Sequence, residues 1–232
     1  MCKPADAVQT VLDRRNPNRP FFANHRALAY AAALVVPRNG SAFPHDLAVL
    51  ELGFGGGSVF RYLRSLVPGI AYTGIEASSA MIDTARRYFE LSSTDCVQVQ
   101  TAERYLSGHS PETDGDFDLI LSDLFDGRES PVATSQEWFF RALAERLSDR
   151  GIAAINLLPS SPDALISVLR AAKTSFSGFG LLQFQDLGNI VLFLSAEPLP
   201  LGRQLDVLLE SSPFARKSEA KSVLHRVYRP PL

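Results

Sequence analysis

Cysteine is nearly absent from this chain: Cys2 and Cys96 are the whole complement, which excludes a disulfide-stapled fold and fits a reducing compartment. Histidine is almost as scarce. His25, His45, His109 and His225 stand far apart and lack ligand-like spacing with either cysteine, so no metal site is expected. An excess of one charge is missing too: 23 Lys and Arg against 25 Asp and Glu leave a net charge of −2, and neither nucleic acid nor an anionic membrane is an expected partner. The basic stretch from Phe214 to Arg229 also holds two glutamates and reads as a solvated helix face. No long apolar run is present either. Ala27 to Val36 falls well short of the ~20 residues that span a bilayer. It also begins too far along, after Arg14, Arg15 and Arg19, for a removable signal peptide. That run reads as a buried helix, and the protein as soluble and cytoplasmic.

What the chain does have is 46% hydrophobic residues over 232 positions, enough for one large core. Short apolar runs alternate with longer amphipathic segments. Strands are predicted at 47–52, 71–76, 97–100, 117–123 and 151–158, with helices opening at Ser58, at Ser78 or Ser79, after Thr134 and at Pro162. Met81, Ala85, Tyr88 and Phe89 are placed on one side of the second of these helices, and Thr134 with Glu137 stands at capping-box spacing for the third. Alternation at this spacing predicts an α/β, doubly wound, mostly parallel sheet of seven strands. The last two, 180–185 and 189–195, are joined by only Asp186-Leu187-Gly188, too short for a crossover helix, and so form a C-terminal antiparallel hairpin. An all-parallel NAD-binding domain has no reason to end that way, whereas the sheet of sulfonium-nucleoside methyltransferases does. Residues 1–46 read as a helical lid or extension, 47–196 as the nucleoside-binding catalytic domain, and 197–232 as a helical extension of it. That extension can cover a sheet edge or a homodimer partner.

Three constellations carry the chemistry. After the first strand comes Glu51-x-Gly53-x-Gly55-Gly56-Gly57, in which glycines let the backbone approach a ligand and the next helix offers unpaired N–H groups to an anion. A dinucleotide fingerprint would place glycine where Ser58 stands. The pattern is instead that of an S-adenosylmethionine loop. Glu76, at the end of the second strand, can accept both ribose hydroxyls of a nucleoside. Asp123 and Asp126 follow the fourth strand, where ligands lie in open doubly wound sheets; there two carboxylates can hold a cationic amine and one can take its proton.

In "VLELGFGGGSVFRYL", "YTGIEASSAMIDTARRYF", "FDLILSDLFDG" and "TSQEWFFRALAERLSDRGIAAINLL" the chain resembles the spermidine synthase family, from about Leu47 to Ser195. The resemblance implies the class I methyltransferase fold and a nucleoside site at Glu51, Gly53, Gly55, Gly57 and Glu76, with adenine near Thr101 and Ala102. It implies Asp123 as the proton acceptor, also close to the nucleoside, and Asp126 as its amine-binding partner. Three departures stand out. Gly56 occupies the place of an aspartate that meets the free amine of decarboxylated S-adenosylmethionine; Thr101 replaces an adenine-binding acid, with Glu103 displaced; and the N-terminal β-domain that encloses a polyamine has no counterpart. Arg19 to Tyr30 instead carries aromatics, His25 and two arginines but no acid, a segment that can lid a pocket and is poorly suited to a polycation. The expected function is transfer from an adenosyl sulfonium to a small acceptor, which the family resemblance implies is an amine. Methyl transfer from S-adenosylmethionine is favoured, with aminopropyl transfer from the decarboxylated donor and a non-catalytic nucleoside-binding scaffold as alternatives.

Overall fold

The chain is represented by a computed structural model that describes residues 10–35, 47–92, 97–108, 117–125, 132–184, 188–215 and 217–230. Strands β1 (Ala48–Leu52), β2 (Ala71–Glu76), β3 (Val97–Val99), β4 (Phe117–Ser122), β5 (Leu147–Leu157), β6 (Gly178–Gln183) and β7 (Ile190–Ser195) form one sheet in the order β3-β2-β1-β4-β5-β7-β6. The first five run parallel, and β7 is antiparallel to both of its neighbours. The chain winds outward from β1 in one direction and from β4 in the other. Their carboxyl ends therefore meet at the switch point, with Leu52 beside Ser122.

Alternation along each strand divides the core in two. Val49, Leu119, Leu121, Ile152, Ala154, Val191 and Phe193 face one cluster; Leu50, Leu52, Ile120, Ala153, Ile155, Leu192 and Leu194 face the other. The first face is covered by α1 (Ala23–Tyr30), α2 (Ser58–Leu66), α3 (Ser79–Tyr88), α7 (Arg203–Ser211) and α8 (Ser218–Leu224). The second is covered by α4 (Ala102–Ser107), α5 (Glu137–Ala144) and α6 (Pro162–Lys173). The expected buried helix at Ala27 is α1, which tightens into a 3₁₀ turn over Ala31–Leu34. Its alanines let it lie close to β5, β7 and α2, and Ala27 to Val35 are all buried.

Four local expectations shift. Strand β5 starts at Leu147 rather than Gly151, because Leu147 pairs with Phe117 across a β-irregularity that the polar Ser148-Asp149-Arg150 conceals from any apolar pattern. Strand β3 ends at Val99. Helix α3 turns Ile82 and Ala85 inward while Tyr88 is 61% exposed. The capping box does not form: Thr134 is buried in a 3₁₀ turn and Gln136, with no side-chain cap bond, precedes α5. By contrast Ser78 caps α3 and Ser161 caps α6, each accepting a backbone N–H three residues on, and Pro162 stands in the first turn. At the other end of the chain Tyr228 exchanges both backbone hydrogen bonds with Leu181, covering the outer edge of β6.

Candidate functional site

The glycine loop is shaped by three left-handed glycines, Gly53 (φ +83°), Gly55 (φ +54°) and Gly57 (φ +66°). A Cβ on Gly53 would lie 2.5 Å from the backbone oxygen of Asp123, so the loop crosses directly over the end of β4. Phe54 turns inward and its ring fills the space a side chain on Gly57 or Gly74 would need. Buried Arg61 bolts the loop from behind, donating to the carbonyls of Gly56 (2.6 Å) and Phe89 (2.7 Å). The expected ligand-facing loop is thus a rigid backbone cradle.

Its two acids play different parts. Glu76 closes the loop, with Oε2 accepting from Gly55 N–H and Oε1 from Ser78 N–H, both at 2.9 Å. Gln100 N–H bonds its backbone carbonyl and brings the end of β3 alongside. Glu51 is only 2% exposed and accepts a 2.7 Å hydrogen bond from Tyr72. Burial pushes its carboxyl up to about 8, against the opposing hydrogen bond from Tyr72, so it is largely protonated at neutral pH. The folded state then binds one more proton than the unfolded chain between pH ~4.5 and about 8, and its stability falls as pH rises through that window. The slope is at most about 1.4 kcal/mol per pH unit for one proton. Glu51→Gln is expected to flatten this decline in a series of melting temperatures from pH 5 to 8; an unchanged slope would assign the decline to other groups.

Thr101 and Ala102 lie just past β3. Thr101 is exposed and its hydroxyl accepts from Arg104 N–H as the cap of α4, a helix that begins at the buried Ala102. Glu103 stands in its first turn. Asp126 lies outside the described residues.

Asp123 is the centre of a buried polar chain. His25 Nε2 lies 3.0 Å from its Oδ2, and Asn156 Nδ2 donates to its Oδ1 at 2.7 Å. On the far side His25 Nδ1 lies 3.2 Å from Ser58 Oγ in the first turn of α2, and Asn189 Nδ2 donates to Asn156 Oδ1 at 3.0 Å. Four elements thereby converge on one carboxylate: α1, α2, β4 and β5. Burial alone would lower His25, but the charge and hydrogen bond of Asp123 more than reverse it, and the imidazole is raised above its ordinary value. Burial likewise works against ionised Asp123, yet His25 and Asn156 hold its carboxyl below the usual range. Both shifts run toward the charged pair, because each partner favours the ionised form of the other.

Sequence reading placed His25 in a lid-like segment and did not join it to Asp123. The one available signal was a polar, titratable residue next to an otherwise apolar helix. Ser58, Asn156, Asn189 and Tyr72 carried no such signal, because each is an ordinary polar residue in a strand, hairpin or helix start. Among the described residues no group of three or more His, Cys, Asp or Glu could hold a metal ion, and no helix is long and apolar enough to cross a membrane.

Residues 49–151 match the family described as a methyltransferase domain. The eEF1A lysine and N-terminal methyltransferase of Xenopus laevis is 22% identical over 197 residues, covering 81% of this chain and 28% of that protein. The polyamine aminopropyltransferase of Neisseria meningitidis serogroup A is 28% identical over 156 residues, covering 66% of this chain and 55% of that one. The chain thus spans well under two thirds of the length of either relative. Human methyltransferase-like protein 13, solved in complex with SAH, superposes with a TM-score of 0.73 at 21% identity, covering 91% of this chain and 95% of that one. The fold is that of the class I methyltransferases, and the sequence resembles both methyltransferases and aminopropyltransferases.

Proposed function

We propose that this chain, built on the class I methyltransferase fold, transfers the methyl group of S-adenosylmethionine to a small acceptor at Asp123. The observation that carries the reading is the state of that carboxylate: both of its oxygens are taken, one by His25 and one by Asn156. A diamine entering there would bring an ammonium against two N–H donors that already face the carboxylate oxygens, which raises the cost of binding it. An acceptor without a fixed positive charge meets no such cost.

The residues present fit a nucleoside donor. Gly53, Gly55 and Gly57 form a cradle that a Cβ would fill or strain, and Glu76 stands at the end of β2 with a carboxylate able to take ribose hydroxyls. When bound, the donor supplies an electrophilic methyl carbon on a sulfonium. The protein's part is to orient the acceptor, exclude water and receive a proton. The uncharged Gly56 also favours the intact donor, since no carboxylate waits there for the free amine of the decarboxylated form.

The nucleoside product separates the readings without knowledge of the natural acceptor. Methyl transfer releases S-adenosylhomocysteine, and aminopropyl transfer releases methylthioadenosine. With a phenol, a primary monoamine and putrescine as probe acceptors, S-adenosylhomocysteine is the expected product; methylthioadenosine from the decarboxylated donor with putrescine would establish the aminopropyl reading instead. In a thermal-shift series, donor at 100 times its Kd is expected to stabilise by about 2.7 kcal/mol. Stabilisation by neither donor nor its nucleoside product would leave a scaffold. Gly56→Asp is expected to move the ratio of affinities toward the decarboxylated donor. A side chain at this position collides with Thr10 Cγ2, so Gly56→Asp is compared with Gly56→Asp in a Thr10→Gly background. An unchanged ratio in both would remove Gly56 from donor choice.

A further inference from the structure

We propose that His25, rather than Asp123, is the residue that takes the acceptor's proton, and that the acceptor is correspondingly a neutral O–H or N–H nucleophile. This rests on the methyl-transfer reading and goes beyond it by assigning the base and the acceptor class. The geometry sets the roles. With its Nε2–H directed at Asp123 Oδ2 at 3.0 Å, a neutral imidazole has its lone pair on Nδ1, and Nδ1 lies 3.2 Å from Ser58 Oγ. Ser58 directly follows Gly57 of the loop, so the basic atom faces the start of α2, in a buried contact next to the glycine loop.

Asp123 is poorly placed to be the base itself. One oxygen faces a proton of His25 and the other a proton of Asn156, and both contacts favour the ionised carboxylate. A carboxylate held below its ordinary range is a weaker base, while the imidazole beside it is a stronger one. Asp123 then acts as a positioning residue: it fixes the tautomer of His25 and stabilises the imidazolium that forms. Asn156 and Asn189 hold Asp123 in turn. Among the described residues, the groups that face His25 are Asp123 just past β4, Ser58 from α2, and Arg26 and the edge-on ring of Phe22 from its own segment. Arg26 opposes protonation, but it is drawn away by Glu219, to which it donates at 2.6 Å.

The step balances without a further reactant. The acceptor's lone pair forms the bond to the methyl carbon, and the carbon–sulfur bond breaks with its electron pair passing to sulfur, which becomes a neutral thioether. The acceptor's proton passes through the Ser58 hydroxyl to Nδ1 and leaves an imidazolium against Asp123.

Two measurements on the full chain test this. The first needs no turnover: nitrogen NMR of His25, with S-adenosylmethionine bound, is expected to show neutral imidazole protonated on Nε2 and bare on Nδ1, titrating above free histidine. A proton resident on Nδ1 in the neutral form would overturn the proposal. The second is the pH–rate profile with a phenol as probe acceptor. The wild-type rate is expected to rise with pH as His25 loses its proton, and His25→Gln to lose that limb together with about 10²-fold or more of the rate at unchanged donor affinity. His25→Ala is expected to regain activity with added imidazole. A His25→Gln enzyme that keeps the limb and most of its rate would return the proton to Asp123. Failure of the methyl reading is seen separately, as wild-type protein that releases no S-adenosylhomocysteine while the NMR signature of the pair persists.

Discussion

Asp123→Asn is expected to cut turnover by about 10²–10⁴-fold while leaving S-adenosylmethionine affinity within about threefold. The substitution keeps shape and volume but replaces one acceptor oxygen by an NH₂ group. The wild-type carboxylate faces two donors, His25 Nε2–H and Asn156 Nδ2–H. An amide cannot accept from both. If its oxygen stays on Asn156, its NH₂ faces His25 and the imidazole must switch to the tautomer with the proton on Nδ1. The basic lone pair then points at an amide rather than at Ser58. If its oxygen turns to His25, Asn156 meets a donor and has to flip, which breaks its bond from Asn189. Either arrangement leaves the cradle of Gly53, Gly55, Gly57 and Glu76 in place, and so donor binding is spared. Steady-state rates together with calorimetric titration of the donor read the two effects apart. Equal loss of rate and affinity would make Asp123 a binding residue.

Gly53→Ala is expected to lower stability by about 2–5 kcal/mol, the sum of left-handed backbone strain and overpacking against a backbone atom. At roughly 2–4 °C per kcal/mol for a domain of this size, the melting temperature should fall by roughly 4–20 °C. Two features combine here. The residue has φ +83°, and its added Cβ would meet Asp123 O at 2.5 Å and Asp123 C at 2.9 Å, neither of which can swing aside. Relief requires β1 and β4 to part at the switch point, and that movement also draws Asp123 away from His25. Gly55→Ala is the internal control. It shares a positive φ, but the nearest atom is Thr10 Oγ1 at 3.8 Å, so backbone strain of about 1–2 kcal/mol is the expected cost. Equal melting temperatures for the two variants would show that contact with β4 adds nothing.

Much of this molecule was legible before any coordinates. The glycine run after an apolar strand, the acid ending the next strand and the two apolar segments around Asp186-Leu187-Gly188 together imply a seven-stranded sheet with a reversed final pair, and that sheet is present. Such features are local: period, glycine content and connector length act within a few residues of chain. Strand β5 shows where local reading fails, since its first third is held by pairing with Phe117 and not by its own composition. The Thr134–Glu137 spacing failed for a related reason, as burial of Thr134 in a 3₁₀ turn outweighed its capping preference.

The site divides along the same line. Residues placed by their own backbone or strand end, namely Gly53, Gly55, Gly57, Glu76 and Asp123, stand in sequence next to the elements that position them. His25 does not. It lies 98 positions before Asp123 by the numbering, on a helix that only its packing on the assembled sheet brings to Asp123 at the end of β4. A carboxylate's chemistry depends on what lies within about 4–6 Å, and no pattern along the chain encodes that neighbour. The strands themselves, the antiparallel final hairpin, the glycine loop and the places of Glu76 and Asp123 at strand ends follow from residue type and spacing. The pairing of Asp123 with His25 follows from packing, because only packing sets the distance between charges that are remote in the chain.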